Sequence, residues 1–175
     1  MKRIILITGG QRSGKSAYAE QLALSLDAHP IYMATAHIWD EEFRLRVIQH
    51  QRRRGGQWEN IEEERQLSEH CIYNKVCVID CLTLWYTNFF YGDGKNTAEE
   101  IDVQEVLRSL KDEFDRFTQQ EATFIFVTNE IGSGGVSDYL LQRKFTDLEG
   151  WMNQYVAQRA DEVILMVAGI PVKIK

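Results

Sequence analysis

The run Gly9-Gly10-Gln11-Arg12-Ser13-Gly14-Lys15-Ser16 places two glycines five positions apart and follows the second directly with Lys-Ser. That spacing suits phosphate chemistry. Glycines let backbone N–H groups turn inward around phosphate oxygens, and a helix starting at the loop adds partial positive charge. Lys15 is placed to bridge terminal phosphates, and Ser16 to offer its hydroxyl to Mg²⁺. The setting agrees with the string. An apolar run, Ile4 to Thr8, precedes it, and Ala19, Leu22, Ala23 and Leu26 follow at helical spacing. A chance match in a chain this long is on the order of one in a hundred at average glycine usage. The strand–loop–helix setting argues further against a glycine-rich turn without a ligand.

A phosphate loop of this kind needs a second acidic group for Mg²⁺ or its waters. Val76-Cys77-Val78-Ile79-Asp80 ends an apolar strand on a carboxylate, and Asp80 is the candidate. The alternative is that Asp80 caps the next helix. Phe126-Val127-Thr128-Asn129-Glu130 ends another such strand. Glu130 either joins the site or serves as a capping or solvent-facing carboxylate.

Asp40 to Arg54 reads as a helix with Asp40, Glu41 and Glu42 in its first turn and Arg52, Arg53 and Arg54 in its last, before Gly55-Gly56. That order complements the helix dipole, and glycine suits the stop. Phe43, Val47, His50 and Arg54 share one stripe. Arginines around His50 disfavour a protonated imidazole. A neutral imidazole can act as nucleophile or base, and guanidiniums can hold a triphosphate. Taken alone, these residues fit a helix end that does no chemistry better than a nucleophile. His29, His37 and His70 have no evident partners in sequence and are read as structural.

The elements that must position these groups alternate. Strand-like runs occur at Ile4–Thr8, Ile31–Thr35, Val76–Asp80, Phe124–Thr128 and Val163–Val167. Helical periods lie between them: Val103, Val106, Leu107, Leu110, Phe114 and Phe117, and later Leu141, Phe145, Leu148, Met152 and Tyr155. Nearly continuous apolar strands separated by helices imply a mostly parallel sheet covered on both faces. We therefore expect a single domain over 1–175 with a three-layer α/β fold of the P-loop NTPase kind. Gly169 is expected to turn a short last strand, Ile170–Ile174, against the edge. The segment from about Gly55 to Glu69 is polar and reads as irregular.

Composition narrows the function. The 175 residues are 44% apolar, enough for a core, and carry 20 Lys+Arg against 26 Asp+Glu, a net charge of −6. An acidic chain is a poor grip for a phosphodiester backbone, so nucleic acid is not an expected partner. No run approaches the roughly 20 apolar residues that span a bilayer. Ile4–Ile7 is too short for a signal-peptide core and no A-x-A-like site follows. The three cysteines, Cys71, Cys77 and Cys81, lack zinc-like spacing and read as reduced thiols in or near a buried strand. These features lead us to expect a soluble cytoplasmic protein.

The quoted residues resemble the bifunctional adenosylcobinamide kinase / adenosylcobinamide-phosphate guanylyltransferase family. Four stretches carry the likeness: Ile7 to Ser16; Tyr32-Met33-Ala34-Thr35-Ala36; Asp40-Glu41-Glu42 with Arg46 and His50; and Val127-Thr128-Asn129-Glu130-Ile131-Gly132. The last continues through Arg143, Phe145, Asp147, Gly150 and Asn153 to Ala160–Val163 and Val172–Lys175. Together they span nearly the whole chain.

The resemblance implies that ATP or GTP phosphorylates adenosylcobinamide, and that GTP then transfers GMP to adenosylcobinamide phosphate, releasing pyrophosphate. It implies that His50 carries GMP covalently. It also implies nucleotide contacts at Gly9 to Ser16, at Ala34, Thr35 and Ala36, at Gln51, Arg52, Arg53 and Arg54, and at Glu62 and Asp80. Mg²⁺ would be held at Ser16 and Asp80, and the family is homotrimeric. The chain departs from the family at Val136-Ser137, where a proline is usual after the valine, and at Thr146 and Trp151, where basic residues are usual. Two other readings compete: a P-loop kinase for another small metabolite, and a nucleotide-binding regulatory module without turnover.

Overall fold

A computed structural model describes residues 1–37, 55–94 and 97–175. Among these, β1 (Arg3–Thr8), β2 (Ile31–Ala34), β3 (Glu59–Glu62), β4 (Val76–Asp80), β5 (Thr123–Val127), β6 (Glu162–Val167) and β7 (Ile170–Lys173) form one sheet in the order β3-β2-β4-β5-β1-β6-β7. All neighbours pair parallel except β6 and β7, which form a hairpin. The expected mostly parallel α/β sheet is present.

Its central strands show why they lie inside. Ile4 to Ile7, Cys77 to Ile79 and Phe124 to Val127 are all buried, and alternate residues feed opposite faces. One face receives Leu6, Met33, Ile79, Phe124 and Phe126. It is covered by α2 (Leu82–Phe90), α3 (Val103–Phe117) and α4 (Leu140–Arg159) through Trp85, Phe90, Phe114, Phe117 and Met152. The other receives Ile5, Ile7, Val78 and Val127 and is covered by α1 (Lys15–Leu26), chiefly through Ala19 and Ala23. The small alanines let α1 lie close to the strands, which brings its N-terminus over the end of β1.

Two elements depart from the expectation. β3 lies within the stretch read as irregular. Its Glu-Asn-Ile-Glu sequence is polar because it is an outer strand, exposed at three of its four residues. α2 has no clean amphipathic stripe, because it is apolar on most sides and wedged between the sheet and its neighbouring helices. The helix expected over Asp40–Arg54, with His50, lies outside the described residues. Cys77 is buried within β4 and Cys81 follows it, while Cys71 is exposed; all three are free thiols. Among the described residues, no helix is long and apolar enough to cross a membrane.

Candidate active site

Parallel strands align their C-terminal ends, so register decides what meets at that edge. Glu62 pairs with Ala34, Ala34 with Asp80, Asp80 with Val127, Val127 with Ile7, and Ile7 with Ile164. Three of the expected nucleotide-contacting residues, Glu62, Ala34 and Asp80, thus occupy adjacent positions of one row. The glycine loop leaves β1 just beyond the same row. Sheets of this kind bind ligands at this edge.

The loop has the backbone its sequence anticipates. Gly9 has φ +148° and Gly14 +97°, and Arg12 takes φ +59°. A Cβ at Gly9 would lie 2.5 Å from the Met166 carbonyl oxygen, so only glycine fits there. Gly14 precedes α1, whose first turn has neither a side-chain cap nor an acidic residue. Its first N–H groups therefore remain available for phosphate oxygens. The hairpin turn between β6 and β7 braces the loop from behind, with Gly169 N–H donating to Ser13 O at 2.9 Å. Lys15 is 7% exposed and its Nζ donates to Gly10 O at 2.7 Å, spanning the mouth of the loop. Burial lowers the Lys15 pKa, and the charges of Asp80 and Glu149 oppose that shift.

Asp80 does not cap α2; the capping position is Cys81, and no side chain caps that helix. The Asp80 carboxylate instead accepts from Tyr32 OH at 2.8 Å. Thr35 is fully buried and donates from Oγ1 to Cys81 O at 2.7 Å. Asn88 on α2 donates from Nδ2 to Thr35 O at 2.7 Å and to Glu64 O at 2.8 Å. The ends of β2, β3 and β4 are thereby tied to one helix. Glu130 takes the capping role left open for it. Its Oε1 accepts from Gly132 N at 2.8 Å and Ser133 N at 3.2 Å. Burial pushes the Cys81 thiol up to about 12 and the Cys77 thiol higher still, so neither is a thiolate near neutrality. His37 and His70 do have partners, Glu64 at 2.8 Å and Glu63 at 3.1 Å.

Beneath the edge lies a polar network whose Glu149, Thr83 and Tyr86 sequence reasoning passed over. Thr83, in the first turn of α2, donates to Glu149 Oε1 at 2.6 Å and accepts from Asn129 N at 3.0 Å and Asn129 Nδ2 at 3.2 Å. Asn153 accepts from Thr128 Oγ1 at 2.8 Å and from Tyr86 OH at 3.4 Å, and donates to Asn129 O at 3.1 Å. Burial pushes the Glu149 carboxyl up to about 7; the Thr83 hydrogen bond and the Lys15 charge oppose the rise, and the Glu130 charge adds to it. The signal was available. Phe145, Glu149 and Asn153 recur every four residues on α4, so two polar side chains sit beside its apolar stripe.

The donor set suits Mg²⁺. Ser16 and Asp80 offer hard oxygens at the loop and the facing strand end. Among the described residues there is no cluster of three His, Cys, Asp or Glu that would hold a metal alone. Mg²⁺ is commonly bound this way, by one or two protein oxygens with substrate phosphates and waters completing the shell. Gln51 to Arg54, like His50, lie outside the described residues.

Comparison with known proteins extends this reading along the chain. Among solved structures, an ATPase from the type III secretion system of pathogenic bacteria superposes with a TM-score of 0.56 at 13% identity. That match covers 94% of this chain and 52% of the ATPase, and it supports the P-loop ATPase-like fold alone. The bifunctional adenosylcobalamin biosynthesis protein CobU of Escherichia coli is 37% identical over 98% of this chain and 99% of its own length. CobU of Salmonella typhimurium matches with the same identity and coverage. The family model for cobinamide kinase / cobinamide phosphate guanyltransferase matches residues 5–174. By the extent of that match and of the identity to both CobU proteins, the chain belongs to the cobinamide kinase / cobinamide phosphate guanyltransferase family.

Proposed function

We propose that this chain phosphorylates adenosylcobinamide with ATP or GTP, then transfers GMP from GTP to adenosylcobinamide phosphate through a guanylyl group carried on His50. The single observation that carries this reading is the extent of the family match. Residues 5–174 take in His50 as well as the phosphate loop, which a generic P-loop kinase would not require. The kinase step joins the substrate hydroxyl oxygen to the γ-phosphorus, breaks the bond to the β-phosphate oxygen, and releases the hydroxyl proton. In the second reaction a neutral His50 ring nitrogen bonds the α-phosphorus as pyrophosphate leaves. An oxygen of the substrate phosphate then bonds the same phosphorus, the N–P bond breaks, and the imidazole is restored. Splitting one transfer into two steps is the advantage of a covalent carrier.

In this reading Lys15 and the N–H groups of Gly9 to Ser16 hold the phosphates and absorb charge on the leaving group. Ser16 and Asp80 would hold Mg²⁺, which when bound would neutralise phosphate charge. Ala34, Thr35, Ala36, Glu62 and Gln51 to Arg54 contact the nucleotide. The chain acts as one catalytic domain in the cytoplasm and assembles as a homotrimer. Incubation with α-labelled GTP and Mg²⁺ tests the covalent step. Acid-labile, base-stable label is expected on the wild type and not on His50→Ala, which should keep at least part of its kinase activity. An unlabelled wild type would return the chain to an ordinary small-metabolite kinase.

A further inference from the structure

We propose that Glu149 is a positioning residue of the phosphate cradle: one carboxylate oxygen holds the Thr83–Asn129 clasp, and the other takes up a proton when nucleotide enters and gives it up when nucleotide leaves. The inference rests on the reading above only in placing nucleotide on the loop Gly9 to Ser16.

Glu149 is 1% exposed. Its Oε1 accepts from Thr83, and its Oε2, also buried, has no hydrogen-bond partner among the described residues. Glu113, nearly as buried, is satisfied differently. There Ser68 N–H donates to one oxygen and the Arg116 guanidinium to the other. A buried carboxylate with one open oxygen and no bonded cation is costly as an anion, and a proton is the simplest remedy. Thr83 has one hydroxyl proton, which it gives to Glu149, and its lone pairs take both Asn129 donors. Glu149 therefore fixes the junction of α2 with the segment after β5, and both follow strands that flank the site.

The charges around it supply the coupling. Lys15 on α1 favours the ionised carboxylate, and Glu130 after β5 opposes it. Cys81 at the end of β4 and Tyr86 on α2 lie in the same field, and Asp80 shares the Lys15 charge. Of these only Lys15 is a cation. Once nucleotide phosphates engage Lys15, its support of the Glu149 anion is spent on them, and a triphosphate, whose charge exceeds that of one Mg²⁺, brings net negative charge nearby. Both changes favour the protonated carboxyl.

The test is calorimetric binding of a non-hydrolysable GTP analogue with Mg²⁺, near pH 7, in buffers of differing ionisation enthalpy. The wild type should take up about half a proton more than Glu149→Gln, as a group near its midpoint does. Titration of the nucleotide itself is common to both proteins and cancels. Equal uptake by the two would overturn the proposal while leaving the guanylyltransferase reading intact. A wild type that binds no nucleotide would sink both. Should Glu149→Gln not fold, Thr83→Val decides. Removing the donor that favours the anion must move the uptake to higher pH, and an unmoved profile refutes the role.

Discussion

Alanine at Gly9 sets backbone geometry against phosphate binding in one substitution. Gly9 sits at φ +148°, and its new Cβ would meet Met166 O at 2.5 Å and Ser13 Oγ at 2.8 Å. The hydroxyl can rotate aside. The carbonyl belongs to β6, which is held by β1 on one side and β7 on the other, so it cannot. Holding a non-glycine residue in that region costs about 1–3 kcal/mol, and forcing the contact a further 1–3 kcal/mol or so. The expected loss is about 4 kcal/mol, near a 2 M fall in urea midpoint at a typical slope of about 2 kcal/mol/M. GTP affinity should fall more than about tenfold, because the loop can relieve the clash only by moving its N–H groups off target. Gly10→Ala is the control. It is in the same loop, yet its Cβ would meet nothing within 4 Å, and its stability should stay within about 0.5 kcal/mol of wild type. Urea unfolding beside GTP titration reads both quantities. If Gly9→Ala melts and binds as Gly10→Ala does, the account of the loop as a rigid nest braced by β6 is wrong.

Further outcomes are expected. Lys15→Ala should lower both phosphoryl and guanylyl transfer by about 10²-fold or more, because both use one triphosphate cradle; near wild-type rates for either, in initial-rate assays, would argue for two sites. Ala168 and Gly169 turn the β6–β7 hairpin with φ +52° and +82°, and alanine is the costlier of the two there. Ala168→Gly should stabilise the protein by roughly 0.5–1 kcal/mol in thermal melts. Burial pushes the Glu149 carboxyl from an ordinary 4.5 up to about 7, so the folded state holds its proton longer. Its contribution is favourable below about pH 4.5 and is lost as pH rises towards about 7, by on the order of 3 kcal/mol. Glu149→Gln should flatten that part of the stability–pH curve, measured by urea unfolding at a series of pH values.

The fold was legible where burial imposed a pattern. Continuous apolar runs fixed the central strands nearly to the residue, because a strand covered on both faces has no polar position to blur its limits. β3 escaped because an outer strand is specified by its partner, not by its own Glu-Asn-Ile-Glu. α2 escaped because periodicity marks a helix with one wet side, and Trp85, Tyr86 and Phe90 leave little of it wet.

The site divides along the same line. The backbone of the loop and the place of Asp80 at the end of β4 were legible because both are local features, so spacing along the chain carries them. Tyr32, Thr83, Asn88 and Glu149 act through partners 48, 66, 53 and 66 residues away, and no local spacing records such a pairing. Only Glu149 left a trace, as a carboxylate bordering an apolar stripe. That trace is ambiguous in sequence, since a helix-border glutamate usually reaches water. What separates Glu149 from that common case is tertiary: α2 meets α4 here through Thr83, leaving a side chain that pairs with that hydroxyl and is only 1% exposed. A loop whose glycines set its backbone can thus be read from a motif, whereas side chains that join distant elements emerge only when the strands have been put in order.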